Sequence, residues 1–122
     1  MRVLIGLLAL CLVMAGHAQQ RLVVAGGELT EIVYALDAGD RLVAVDSTSN
    51  YPAAARQLPK LGYVRALPVE GTLALKPDLV LLSGEAGPPP AVVQLKQATE
   101  VRVIDPEWSP TGLLARVEQV AQ

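Results

Sequence analysis

The side chains able to do chemistry in this chain are few, and phenols lead them. Tyr63 stands two residues before Arg65 in the stretch Leu61-Gly62-Tyr63-Val64-Arg65, and in an extended segment that spacing puts both side chains on one side. Without further context the pair reads as a packed ring beside a solvated charge. Tyr51 lies in the same irregular span, ahead of a Pro52 that biases it toward extended backbone. Tyr34 falls inside a helical pattern and reads as structural. Gly26-Gly27 before a helix has the look of a phosphate-cradling turn, but neither GxGxxG nor a P-loop lysine accompanies it, and a turn requirement accounts for the glycines. Cys11 and His17, the single cysteine and histidine, both fall in the first eighteen residues. The rest of the chain has no nucleophile elbow, imidazole or thiolate. Any general acid or base would have to be a carboxylate, a tyrosine or a lysine, so an enzyme is disfavoured.

Those first eighteen residues are laid out as a secretory leader: Arg2, an apolar stretch from Val3 to Met14, then Ala15-Gly16-His17-Ala18 with small residues at minus three and minus one. The apolar run falls short of the roughly 20 residues needed to span a bilayer. Cleavage after Ala18 is therefore expected, with Cys11 as part of the leader. Residues 19–122 would then keep nine of the ten Lys and Arg, Arg2 being removed, against twelve Asp and Glu. No basic stripe stands out, and four aromatic residues give little for bases to stack on, so nucleic acid is not a partner. With no phenylalanine, the core must be built from Val, Leu, Ile and Ala.

The elements that must position the phenols follow from the apolar pattern. Arg21 to Ala25, Leu42 to Val45, Leu79 to Leu82 and Val101 to Ile104 read as strands. Leu29, Ile32, Val33 and Leu36 recur at helical spacing; Pro88-Pro89-Pro90 opens a helix to about Ala98; Ser109-Pro110 opens a last one carrying Leu113, Leu114, Val117 and Val120. Asp37-Ala38-Gly39-Asp40 stops the first helix, with Gly39 expected in the left-handed position. Strands apolar on every residue call for helices on both faces of a mostly parallel sheet, a three-layer α/β/α lobe. Its ligands should gather beyond the carboxyl ends of the strands, at the loops after Ala25, Val45, Leu82 and Ile104. Between Asp46 and Asp78 the rhythm breaks into a long crossover, with short helices expected at Ala53 to Gln57 and Glu70 to Leu75. Trp108 reads as a packing residue near the end of the last strand, an edge that also places it within reach of the ligand cleft.

Several stretches carry a resemblance: Gly26-Gly27-Glu28-Leu29-Thr30-Glu31-Ile32-Val33-Tyr34-Ala35-Leu36, Asp46-Ser47-Thr48-Ser49 with Tyr51-Pro52, Leu61-Gly62-Tyr63-Val64-Arg65-Ala66-Leu67 with Glu70-Gly71, and Leu75-Lys76-Pro77-Asp78-Leu79-Val80-Leu81. Together they resemble periplasmic haemin-binding proteins of bacterial haem ABC importers, within the cluster that also handles cobalamin and ferric siderophores. The Leu-Lys-Pro-Asp-Leu-Val segment looks like the whole cluster, and Gly-Tyr-Val-Arg followed by Glu-Gly looks like the haem branch. The resemblance implies a two-lobed protein with ligand held between the lobes. Residues 19–122 would be its N-terminal lobe, without the connecting helix and the second lobe.

The implied function is capture of haem in the periplasm and delivery to an ABC permease and its ATPase in the inner membrane, by a monomer doing no chemistry on its cargo. Tyr63 would be the axial ligand to ferric haem iron, a phenolate being a hard anionic donor and a known proximal ligand. Arg65 would bond the phenolate or pair with a haem propionate. Tyr51 is a weaker candidate for haem contact. The helix start at Glu28 could offer free amides to a propionate, opposed by the Glu28 carboxylate itself. Glu70, with Glu85 behind it, stands where a glutamate would dock on the permease. The alternatives are a ferric siderophore or cobalamin as cargo, or a truncated nonfunctional lobe.

Overall fold

The computed structural model describes residues 19–105 and 108–122, and the leader expected over residues 1–18 lies outside them. Four strands form one sheet: β1 (Leu22–Ala25), β2 (Leu42–Val45), β3 (Leu79–Ser83) and β4 (Glu100–Ile104), in the order β2-β1-β3-β4 and parallel throughout. Every residue of β1 and β3 is buried, as strands covered on both faces must be. Among the described residues the α-helices are α1 (Gly27–Ala35), α2 (Val69–Ala74), α3 (Pro89–Ala98) and α4 (Pro110–Ala121).

Alternation along the strands divides the interior into two cores. Leu22, Val24, Leu79 and Leu81 point to one face, where Leu29, Ile32 and Val33 of α1 meet Val117 and Val120 of α4. Val23, Ala25, Val80 and Leu82 point to the other, against Leu95 of α3, Leu73 of α2, and Val64 and Leu67 of the crossover. The α/β/α lobe expected from the pattern is thus present. β4 departs from it: as an edge strand it leaves Glu100, Arg102 and Val103 exposed, so its apolar residues are covered less than those of β1 and β3.

α1 ends in a Schellman turn, in which the Ala38 amide reaches the Val33 carbonyl and the Asp37 amide the Tyr34 carbonyl. The left-handed residue is Asp37, at φ 60°, and not Gly39 as expected. Gly39 is required for space instead, because a Cβ there would lie 2.4 Å from the Tyr34 ring, which folds back over the turn. Tyr34 is accordingly structural, half-buried against the α1 core. α4 begins as its sequence indicates, the Ser109 hydroxyl accepting a hydrogen bond from the Gly112 amide at 2.9 Å ahead of Pro110.

Candidate ligand-binding site

Parallel strands bring the loops after β1, β2, β3 and β4 to one edge of the sheet. The crossover from β2 to β3 is fastened there in two places. Leu61 donates to the Val45 carbonyl at 2.9 Å and Ser47 to the Gly62 carbonyl at 2.7 Å, so residues 60–62 run as a short extension alongside the end of β2. The chain then crosses to the loop after β3, where Gly87 donates to the Val64 carbonyl at 3.1 Å and Leu67 to the Gly87 carbonyl at 2.9 Å. Val64 and Leu67 are buried beneath this strap, which leaves Tyr63, Arg65 and Ala66 facing outward.

Tyr63 is 51% exposed at this edge, and its hydroxyl forms no hydrogen bond to any described residue. The backbone around it is a turn rather than the extended segment expected, closed by the Ala66 amide on the Tyr63 carbonyl at 2.9 Å. The turn directs Arg65 to the Glu85 carboxylate of the loop after β3, at 3.3 Å, with both side chains about half exposed. Arg65 is therefore matched with an acid already, and its bond to the Tyr63 phenol expected from the sequence is not formed. Tyr51 is 66% exposed and precedes a cis Pro52. Glu70 is exposed in the first turn of α2.

Trp108 does not pack into the core. It is 78% exposed, and its ring lies 5.5 Å from the guanidinium of Arg116 on α4. Arg116 itself is 6% exposed, and its Nε and Nη1 have no hydrogen-bond partner among the described residues.

The residue that sequence reasoning passed over is Asp46, at the carboxyl end of β2. It is completely buried, and its two oxygens take four donors. Oδ1 accepts from the Gly26 amide at 3.0 Å and the Ser49 hydroxyl at 2.7 Å; Oδ2 accepts from the Thr48 amide at 3.1 Å and the Thr48 hydroxyl at 2.6 Å. Thr30 of α1 joins through its hydroxyl, 2.8 Å from that of Ser49. One carboxylate thus ties the loop after β1 to the loop after β2, the same loop that holds Gly62 next to Tyr63. The glycines before α1 fit this clasp: Gly26 has φ 136° and passes close to Ser83, and a Cβ on Gly27 would meet the Thr48 carbonyl oxygen at 2.9 Å. A run of hydroxyls directly after a strand-end aspartate, Ser47-Thr48-Ser49, was the signal that could have revealed it.

A cavity of about 260 Å³ opens at the opposite, amino end of the sheet, between α1 and the end of α4, with Arg41 and Arg102 over walls of Leu22, Val33 and Val120. It receives none of the strand-end loops. Among the described residues no cluster of His, Cys, Asp and Glu could hold a metal ion, and no helix is long and apolar enough to cross a membrane.

Loops tied together at the carboxyl edge of a parallel sheet, with phenols and charges exposed on their tips, are the arrangement at which open α/β folds gather ligands. By sequence, the chain belongs to the periplasmic binding protein family, which it matches over residues 22–122. It is 33% identical over 115 residues to a vitamin B12-binding protein of Vibrio parahaemolyticus, covering 91% of this chain and 40% of that one. Among solved structures it resembles the periplasmic haem-binding protein BhuT in complex with two haems, at 44% identity and a TM-score of 0.79, over 86% of this chain and 41% of the other. A periplasmic haem-binding protein from Pseudomonas aeruginosa matches at 42% identity and a TM-score of 0.80, over 84% of this chain and 37% of the other. HutB, the periplasmic haem-binding protein of Vibrio cholerae, matches at 43% and 0.78, over 86% and 41%. The chain spans about two fifths of the length of these relatives.

Proposed function

We propose that this lobe binds haem in the periplasm as part of the substrate-binding component of an ABC importer, which delivers the haem to the membrane permease. The observation that carries the reading is Tyr63, a half-exposed phenol on the strap across the ligand edge whose hydroxyl has no hydrogen bond among the described residues. A phenolate is a hard anionic donor that suits ferric iron in a lobe whose described residues contain neither histidine nor cysteine. The iron's own charge supplies the drive to ionise it. Arg65 answers a haem propionate, Tyr51 gives a secondary contact, and Glu70 docks on the permease, where a charge pair orients the partner more than it tightens binding. Support for haem also comes from the neighbouring structures at 42–44% identity, which are haem-binding proteins.

A second reading, cobalamin as cargo, is favoured by the named Vibrio relative. The two are separated by titrating the protein with haemin and with cyanocobalamin, and repeating the haemin titration on Tyr63→Ala. The haem reading expects a high-spin tyrosinate spectrum that Tyr63→Ala loses, with quenching of the single tryptophan, Trp108, as haem fills the edge. An unchanged spectrum in Tyr63→Ala removes Tyr63 from the site. Binding of the corrinoid without any haem band replaces haem as the cargo.

A further inference from the structure

Resting on the haem reading, we infer that Glu85 is a specificity residue acting through Arg65: an internal competitor that only a ligand carrying its own carboxylate can displace. The contact between Arg65 and Glu85, at 3.3 Å, is imposed by the backbone. The two bonds between Gly87 and the Val64–Leu67 segment fix one strand-end loop against the other. Glu85 is further anchored by its amide, 3.4 Å from the Ser83 hydroxyl, and by the Ala86 amide on the Ser83 carbonyl at 2.8 Å. Both charged groups are thus delivered to the same spot by the backbone, and both remain open to solvent.

That arrangement has a chemical consequence for what the edge selects. The charge of Arg65 is matched in the free protein, so it exerts little pull on a neutral ligand. A propionate offers the guanidinium the same planar, two-oxygen partner that Glu85 does, and can take its place in a bidentate fork. A tetrapyrrole whose periphery carries amides or esters has nothing to exchange, and leaves the ion pair intact. Glu28 and Asp105 also stand at this edge, in the first turn of α1 and on the loop after β4, so removing the Glu85 charge also eases general repulsion of an anion. The test must separate that effect from one routed through Arg65.

The experiment compares haemin with haemin dimethyl ester, which keeps the iron and macrocycle but lacks the carboxylates, on the wild-type protein, Glu85→Gln, Arg65→Gln and the double variant. Glu85→Gln should bind haemin about two- to fivefold tighter, the range that loss of an exposed competing ion pair allows. It should leave the ester's affinity unchanged, and its gain should vanish in the Arg65→Gln background. The inference is overturned by haemin affinity that stays the same or falls, by an equal gain for the ester, or by a gain that survives without Arg65. If the wild-type protein shows a Tyr63-dependent haem band while Glu85→Gln changes nothing, this inference fails and the haem reading stands. Absence of any haem band in the wild-type protein removes both.

Discussion

Replacing Asp46 with asparagine changes one atom in the clasp, and its cost can be worked from the four bonds. Each carboxylate oxygen receives one main-chain amide and one hydroxyl: Gly26 and Ser49 on Oδ1, Thr48 with its own side chain on Oδ2. The hydroxyls can rotate to accept from a new NH2 group, but the amides cannot. Whichever oxygen becomes nitrogen, one main-chain N–H is left facing another donor. A buried donor without an acceptor costs about 1–3 kcal/mol, and the surviving bonds weaken as their acceptor loses its charge. Relief from burying an ion returns part of this, since Asp46 has no cationic partner in the clasp. A net loss of about 2–3 kcal/mol follows, equivalent to a fall in Tm of roughly 8–24 °C for a domain of this size. Asp46→Ala orphans both amides and should cost more. Thermal unfolding followed by circular dichroism measures the fall, and amide hydrogen exchange at Gly26 and Thr48 should show lost protection before the strands open. A Tm for Asp46→Asn within about 2 °C of wild type, with both amides still protected, would refute the reasoning.

Two further perturbations test packing elsewhere. Gly39→Ala forces a methyl group to within 2.4 Å of the Tyr34 ring and should destabilise by about 1–3 kcal/mol, a cost that disappears in a Tyr34→Ala background when urea midpoints are compared. Arg116→Met removes two buried donors that have no partner among the described residues, at the expense of the contact with Trp108; it should raise the denaturant midpoint by the equivalent of about 1 kcal/mol with an unchanged m value. A fall in the midpoint would mean that Arg116 is bonded after all.

The strands were legible because their signal is local and redundant. Leu22 to Ala25 and Leu79 to Leu82 are apolar at each position, which only a doubly covered parallel strand explains, and that one inference also fixes the helices on both faces and the edge where loops converge. The short helices within the crossover, a 3-10 helix over Ala53–Gln57 and α2, and the Ser109-Pro110 start were legible from similarly local signals. What was missed depends on contacts between distant segments. Asp37 and Gly39 exchanged roles because a tyrosine five residues upstream of Gly39 occupies the space above it, which turn chemistry alone does not reveal. Arg65 turned to Glu85, twenty residues away, because two loops are joined by Gly87. Trp108 follows an edge strand, and no pattern in its neighbours distinguished an edge from a centre.

On the proposed haem reading, the clasp and the strap would let a loop phenol serve as a placed ligand. A tyrosine on a free loop would lose conformational entropy on gripping iron, and that loss would come out of the affinity. Here the ordering is done in advance. Asp46 fixes the loop after β2, that loop fixes Gly62 through Ser47, and Gly87 fixes the far side of the same strap, so Tyr63 lies between two anchored points. Rigid placement of the backbone combined with an unengaged side chain is what a ligand-exchanging site requires, since a phenol already bonded to the protein would have to break that bond first. If the proposed haem reading holds, a haemin titration of Asp46→Asn should show binding weakened more than its fraction unfolded accounts for, because the variant loosens the anchor while leaving the phenol itself in place.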